Sequence, residues 1–245
     1  MSEQAKESFA LLTDGKMPER YQRNEGTVGI AGQARLLKSK VAVIGCGGLG
    51  GTIIELLARL GVGYLRVIDG DTFAGHNLNR QLMSTEYNLG TNKAIAAAKR
   101  VADINTDVQA EPMPYMLDDE NADKLIAGMD VIVDALDNIS TRILLNKATR
   151  KQGIPLVHAA IAGFTGQVMT IMPEDKGLEH IYKVPLGSGK GVEVSLGNPA
   201  PTPALAAALQ VQEVVKLLTG IGEPLRNKLL YFDTEFNVFE IMNIK

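Results

Sequence analysis

Cysteine and aromatic residues are scarce in this chain. Its 245 residues include one cysteine, Cys46, and no tryptophan, and aromatic residues make up 5% of the sequence. A single cysteine excludes an internal disulfide and a cysteine-based zinc site, because both need more than one thiolate. The hydrophobic fraction of 45% is enough for one sizeable core. That core must consist mostly of aliphatic residues and alanine.

Long apolar runs and runs of one charge sign are also missing. No stretch approaches ~18 consecutive apolar residues, and the N-terminal stretch has no apolar run of signal-peptide length. The net charge of −3 is spread without blocks of like charge, which argues against non-specific binding to nucleic acid or to a membrane surface. We therefore expect a soluble, cytoplasmic protein with neither nucleic acid nor membrane as a partner.

The most informative stretch is 41–81, which reads VAVIGCGGLGG, then TIIELLARLGVG, then YLRVIDGDTFAGHNLNRQ. This order predicts a strand, a glycine turn, a helix and a second strand, the length of one βαβ unit. Gly45, Gly47 and Gly50 fit the dinucleotide fingerprint, in which glycine permits a tight turn and close approach of the backbone to phosphate. Asp69 ends the second strand, where a carboxylate can accept hydrogen bonds from a ribose. The pattern predicts a nucleotide site and does not choose between NAD and ATP.

Strands and helices alternate along most of the chain. Residues 1–40 predict a helical lead-in, and Thr91 can cap a helix that runs to Ile104. Further strands are expected at 107–113, 130–135, 154–163 and 165–172, with helices at 118–129 and 142–153, a helix at 204–220 and a hairpin at 228–244. This alternation predicts an α/β fold with a Rossmann-like, mostly parallel sheet flanked by helices and a C-terminal antiparallel hairpin.

One stretch, 173–203, is rich in glycine and proline and has little periodicity. A span this long without regular structure is usually either a functional loop or disordered, and we expect a flexible crossover loop within a single domain of residues 1–245. The glycine turn, Asp69 to Asp71, and Asp137 with Asn138 all follow predicted strands. Because ligands of such sheets bind at the carboxyl ends of the strands, these residues are expected to form one site.

Several short motifs occur in one order: RYQRN (20–24), GCGGLG (45–50), DGD (69–71), NLNRQ (77–81), GTNK (90–93) and DALDN (134–138). Together they resemble the MoeB/ThiF/HesA family of adenylyltransferases, which are similar to ubiquitin-activating enzymes. The resemblance extends over residues 20–160 and the late helix and hairpin. It implies ATP-dependent adenylation of the C-terminal glycine of a small ubiquitin-like sulfur-carrier protein, with release of pyrophosphate, in a molybdopterin- or thiamin-type sulfur-transfer pathway.

The residues present suit that chemistry. A carboxylate is already a nucleophile at neutral pH, so the site needs cations and dipoles at the phosphates rather than a general base. The resemblance implies that Arg23, Arg80, Lys93 and Asp137 are catalytic. It implies that Asp69 takes the ribose, that Asp137 holds Mg²⁺, and that ATP is bound by Gly45, Gly47, Gly48, Asp69, Asp71, Asn77, Arg80, Gln81, Lys93, Asp137 and Asn138. Arg23 resembles the arginine that reaches the opposite subunit's site, which implies a homodimer.

The chain departs from the family in its cysteines. It lacks the two CxxC pairs that bind zinc in many members, and 173–203 lacks the later cysteine, which puts thioester and persulfide chemistry in doubt. Cys46 is expected to be a packed side chain.

Four further residues are not assigned to the site. His76, His158 and His180 have no spacing typical of a metal site or a catalytic triad. Asp134 is not assigned either, because a carboxylate there can be paired within the fold.

Four readings stay open at this point. The first is the carrier adenylyltransferase itself. Within the family, the substrate could instead be a small molecule, a peptide or a tRNA base. Outside it, the glycine turn also fits an NAD-dependent oxidoreductase or a non-catalytic nucleotide-binding scaffold.

Overall fold

The computed structural model describes residues 2–182 and 196–244. Its strands are β1 (Lys40–Ile44), β2 (Tyr64–Ile68), β3 (Gln109–Met113), β4 (Val131–Asp134), β5 (Leu156–Ala162), β6 (Thr165–Ile171), β7 (Lys228–Asp233) and β8 (Val238–Asn243). Its helices are α1 (Glu3–Thr13), α2 (Glu25–Lys38), α3 (Gly48–Leu60), α4 (Lys93–Ile104), α5 (Ala122–Ile126), α6 (Ile139–Gln152) and α7 (Pro201–Thr219). Across these described ranges, no helix is long and apolar enough to cross a membrane.

In the described part of the chain the strands form one eight-stranded sheet in the order β3-β2-β1-β4-β5-β6-β7-β8. The first four neighbouring pairs, from β3 to β5, are parallel, and the pairs from β5 to β8 are antiparallel. The predicted fold class is therefore confirmed, including the C-terminal hairpin β7–β8. The strand order reverses between β1 and β4, which is where ligands of open α/β sheets bind.

Apolar residues cover both faces of the parallel strands. Val41 and Val43 of β1 belong to a core on one face with α3 and α7, whereas Ala42 and Ile44 belong to a core on the other face with α5 and α6. Side chains alternate across a strand, so a strand buried on both faces must be apolar throughout. This is why VAVI reads as a continuous apolar run rather than as an alternating one.

Some predicted boundaries were wrong. Asn92 rather than Thr91 caps α4, because the Asn92 side chain accepts a hydrogen bond from the Ile95 amide at 3.1 Å. β3 begins at Gln109 instead of residue 107. The helix expected over 118–129 is limited to α5. Its acidic lead-in forms a turn instead, in which the Asp118 carboxylate accepts from two following amides.

The predicted crossover loop, 173–203, falls partly outside the described residues, which omit 183–195. Within its described part, Leu178–His180 form a 3₁₀ turn, and α7 starts three residues earlier than the expected Ala204. Proline is compatible with the first turn of a helix because the amides there have no intrahelical partner. Pro201 and Pro203 thus belong to α7 rather than to the loop.

Candidate active site

A cavity of about 770 Å³ opens at the carboxyl ends of β1, β2 and β4, where the strand order reverses. Ten of the residues expected at the nucleotide site line it: Gly45, Gly47, Gly48, Asp69, Asp71, Arg80, Gln81, Lys93, Asp137 and Asn138. The fold therefore brings together residues that lie up to 93 positions apart in the sequence, from Gly45 to Asn138.

The glycine turn joins β1 to α3 at the floor of this cavity. Gly45 has a φ of 100°, and a side chain there would meet the Ala135 carbonyl oxygen at 2.6 Å. A Cβ at Gly50 would lie 1.8 Å from the Gly45 carbonyl oxygen, so α3 packs directly on the turn. Gly47 caps α3 without any side-chain hydrogen bond. The first amides of α3 are thus available to an anion in the cavity.

Asp69, at the end of β2, is tied to the glycine turn. One carboxylate oxygen accepts from the Cys46 amide at 2.7 Å and the other accepts from the Asp71 amide at 2.8 Å. Burial raises the pKa of Asp69, while the two amides and the nearby Lys93 ammonium oppose that shift. Each carboxylate oxygen can accept a second hydrogen bond, so the group can still receive ribose hydroxyls.

A cation faces the cavity from the first residue of α4. The Lys93 ammonium lies 3.1 Å from the Asp71 carboxylate, and the side chain of Lys93 is 9% exposed. Asn92 holds this region together, because its amide group donates to the carbonyls of Asp69 and Asp71. A lysine at a helix N-terminus interacts unfavourably with the helix dipole. Its position is therefore better explained by an anionic ligand in the cavity than by stabilisation of α4.

Arg80 provides a second cation from the loop after β2. Its guanidinium donates to the His76 carbonyl at 3.0 Å and to the Asn79 side chain at 2.9 Å, which holds it beside the glycine turn. Its neighbour Gln81 is buried, and the side-chain amide nitrogen of Gln81 lies 3.5 Å from where a Cβ of Gly47 would stand. The NLNRQ motif therefore lies next to the glycine turn in the folded chain.

Asp137 and Asn138 follow β4 on the opposite side of the turn. Asp137 is exposed to the cavity. The Asn138 side-chain oxygen caps α6 by accepting from the Thr141 amide at 2.8 Å. Asp137 thus stands between the end of β4 and the capped helix α6, where it lines the cavity.

Two expected site residues lie elsewhere in the described part of the chain. Asn77 is 3% exposed, is not among the cavity-lining residues, and uses its side-chain oxygen to accept from the Ala74 amide at 2.9 Å. In this structure the side chain shapes the loop that carries Arg80, and its phosphate contact stays a prediction. Arg23 is exposed in the 3₁₀ helix Glu19–Asn24 and does not line the cavity of its own chain.

The structure adds residues that the sequence argument left out. Arg142 of α6 lines the cavity, although only 8% of it is exposed. Asp134 and His158 are both fully buried, and the His158 Nδ1 lies 2.6 Å from an Asp134 carboxylate oxygen. The sequence holds two signals for this pair: an aspartate ends the apolar strand VIVD, and a histidine lies inside the apolar run LVHAA. Each signal indicates that the residue has a buried polar partner, but neither identifies the partner.

Cys46 is fully buried, as expected for a packed side chain, and it does not line the cavity. Its Sγ lies 3.8 Å from the Ile68 carbonyl oxygen. Burial and the Asp69 carboxylate raise the pKa of the thiol well above its usual range, so it stays protonated at neutral pH.

Comparisons with known proteins show which proteins this chain is similar to. The chain is 40% identical over 235 residues to the SAMP-activating enzyme E1 of Haloferax volcanii, covering 95% of this chain and 87% of that protein. It is 36% identical over 224 residues to the sulfur carrier protein adenylyltransferase of Thermus thermophilus, covering 88% and 83%. A crystal structure of E. coli MccB with MccA-N7isoASN has the same fold, with a TM-score of 0.82 at 23% identity over 98% of this chain and 76% of that one.

The family profile gives the most direct assignment. The profile of the ThiF family matches residues 21–245, which include the glycine turn, every cavity-lining residue and the C-terminal hairpin. The resemblance to the MoeB/ThiF/HesA group is thus confirmed, and this chain belongs to the ThiF family.

Proposed function

We propose that this protein is an adenylyltransferase that uses ATP to activate the C-terminal glycine carboxylate of a small ubiquitin-like sulfur-carrier protein, releasing pyrophosphate. The observation that carries the proposal is the convergence of the glycine turn, two cations and Asp137 on one cavity at the sheet's switch point. The names of its relatives, a SAMP-activating enzyme and a sulfur carrier protein adenylyltransferase, support a carrier protein as the substrate. We propose that residues 1–245 form one adenylating domain, since the strands of the described residues form a single sheet.

The arrangement of the lining residues favours one orientation of ATP in this cavity. The Asp69 carboxylate accepts the ribose hydroxyls at the end of β2, and the α3 amides with Arg80 and Lys93 receive the phosphates. Lys93 is paired with Asp71 at 3.1 Å, so a bound phosphate would share the ammonium with that carboxylate. An NAD-dependent oxidoreductase would use the same glycine turn, but it would leave the cations and Asp137 without a role.

The catalysed step needs charge stabilisation more than proton transfer. The carrier carboxylate attacks the α-phosphorus, and the pyrophosphate leaves with the negative charge that develops on it. Lys93 and Arg80 lie where they can neutralise that charge, and fixed cations and amides cost little reorganisation during the reaction. No general base is required, which agrees with the protonated, buried state of Cys46.

A magnesium ion fits beside Asp137. Within the described ranges no group of three or more His, Cys, Asp or Glu residues comes together as a metal site. A single exposed carboxylate suits Mg²⁺, which keeps water and takes substrate phosphates as its other ligands. Bound there, the ion would neutralise phosphate charge. No zinc requirement is expected, because the sequence has one cysteine.

Arg23 completes the proposal as a residue that acts across a homodimer. Its side chain is exposed, and the 3₁₀ helix that carries it is fixed by Tyr21, whose hydroxyl donates to the buried Asp107 carboxylate at 2.9 Å. The ring of Tyr21 packs where a Cβ of Gly61 would lie 2.6 Å away. An exposed arginine on a fixed helix, outside the cavity of its own chain, suits delivery to a neighbouring site.

The test is ATP–pyrophosphate exchange with purified candidate carriers. We expect exchange that depends on a carrier ending in glycine and that disappears when this glycine is removed. Exchange with a peptide, a small molecule or tRNA alone would show that the substrate is one of these alternatives within the family and not a carrier protein. The absence of exchange with every substrate, together with tighter binding of NAD than of ATP, would contradict the proposal.

A further inference from the structure

Two buried charged side chains hold the backbone of Leu136, the residue that precedes Asp137. The Asp134 carboxylate accepts from the Leu136 amide at 2.9 Å, and the Arg142 guanidinium donates to the Leu136 carbonyl. Asp134 and Arg142 also pair with each other, with Nε 3.7 Å from the carboxylate oxygen. Asp134 is fully buried and Arg142 is 8% exposed. Both polar atoms of Leu136 are thus fixed by an ion pair that water reaches poorly.

Tyr182 and His158 also belong to this cluster. The Tyr182 hydroxyl accepts from Arg142 at 3.2 Å and from the Gln167 side-chain amide at 3.2 Å, and it lies 3.1 Å from His158 Nε2. One proton arrangement satisfies every contact: His158 donates from Nδ1 to Asp134, and the tyrosine hydroxyl donates to Nε2.

The charge states favour that arrangement. Burial lowers the pKa of His158 more than Asp134 raises it, so the imidazole stays neutral. Burial likewise raises the pKa of Tyr182, so its hydroxyl keeps the proton that it donates. The positive charge that balances Asp134 is therefore the Arg142 guanidinium.

The contacts of this cluster end at Leu136, one residue before Asp137, whose side chain is proposed to hold Mg²⁺. The backbone of Leu136 is fixed on one side of Asp137, and the Asn138 cap of α6 fixes the chain on the other side. We propose that Arg142 and Tyr182 are positioning residues that hold the Asp137 carboxylate where it coordinates Mg²⁺ with ATP, an inference that rests on the proposed function. Neither residue needs to touch the metal. Loss of such supporting contacts typically lowers metal affinity or activity by about 10-fold to 100-fold.

The first variant is Arg142→Lys. Lysine keeps the positive charge beside Asp134, but it lacks the planar fork that reaches two acceptors at once. The matched control is Arg150→Lys on the same helix, where Arg150 is 39% exposed and lies 3.7 Å from Glu179. The second variant, Tyr182→Phe, removes one hydroxyl and keeps the ring. Its control is Tyr87→Phe, because Tyr87 is 99% exposed.

Calorimetry measures ATP affinity with and without Mg²⁺ for each protein. We expect Mg²⁺ to raise the affinity of the unmodified protein and both controls, and Asp137→Ala to lose that gain. In Arg142→Lys and Tyr182→Phe the gain should fall by about 10-fold or more, with metal-free ATP affinity unchanged. In exchange assays the same two variants should need more Mg²⁺ for half-maximal rate, and excess Mg²⁺ should restore the rate. A purely structural defect would lower the rate at every Mg²⁺ concentration.

The outcomes separate this inference from the proposed function. If Asp137→Ala loses the Mg²⁺ response while Arg142→Lys and Tyr182→Phe keep it, the positioning role is wrong and the function stands. If the unmodified protein shows neither exchange nor a Mg²⁺ response, the proposed function fails and the inference fails with it. Equal losses in the controls would also overturn the inference. Should Arg142→Lys not fold, Tyr182→Phe alone decides.

Discussion

The contact between α3 and the glycine turn gives a prediction that needs no knowledge of the substrate. In Gly50→Ala the new Cβ would start 1.8 Å from the Gly45 carbonyl oxygen, against 3.4 Å for an ordinary contact. Both atoms are fixed by backbone, so no side-chain rotation relieves the overlap. Overpacking typically costs about 1–3 kcal/mol, and a backbone clash belongs at the upper end of that range. The higher helix propensity of alanine offsets this cost by about 0.8–1 kcal/mol.

The expected net loss is about 2 kcal/mol of unfolding free energy. For a chain of this size that corresponds to a fall in Tm of about 4–8 °C. The turn must also open, which moves the first amides of α3 away from their present position. ATP affinity should therefore fall in Gly50→Ala as well.

Gly51→Ala is the matched control, one residue along the same helix. A Cβ there would lie 3.5 Å from Met83 and 3.8 Å from the Cys46 carbonyl oxygen, which are ordinary contacts. It should raise stability by up to about 1 kcal/mol and leave ATP affinity unchanged. Chemical denaturation and calorimetry measure both quantities. A Gly50→Ala protein as stable as the unmodified chain, or an equal loss in Gly51→Ala, would refute the reasoning.

Three other variants test the proposed chemistry. Asp137→Ala should abolish carrier-dependent pyrophosphate exchange. The control Asp119→Ala alters an exposed residue outside the cavity lining and should keep the exchange. Full exchange by Asp137→Ala would show that Asp137 is not part of the site. Cys46→Ala should keep adenylation, and intact-mass analysis should find no thiol-sensitive carrier adduct on the unmodified enzyme, because the only thiol is buried. Mixing Arg23→Ala with Asp137→Ala should restore part of the activity if sites are shared between subunits, and a fully active monomer would exclude that.

The parts of the fold that sequence could predict are those decided by neighbouring residues. The glycine turn, the apolar strands and the capped helices depend on contacts within a few positions, so their patterns are legible in the sequence. Helix ends were less certain, because Thr91 and Asn92 are both good caps and only the structure shows which side chain reaches the amide. The orientation of the Asn77 side chain could not be predicted for a similar reason. Its motif identifies the loop, but not whether the side chain faces the cavity or the backbone.

The site's supporting residues could not be predicted in the same way, and the motif DALDN shows why. Asp134 and Asp137 stand three residues apart, yet one is fully buried and the other is exposed to the cavity. Asp134 is the last residue of β4 and pairs in register with His158 of β5, so its surroundings are set by a strand 24 residues away. Asp137 lies beyond the strand, where the chain turns toward α6. Two aspartates of the same motif therefore have opposite roles. Strand pairing decides which carboxylate is enclosed by the core, and no local sequence pattern shows that pairing.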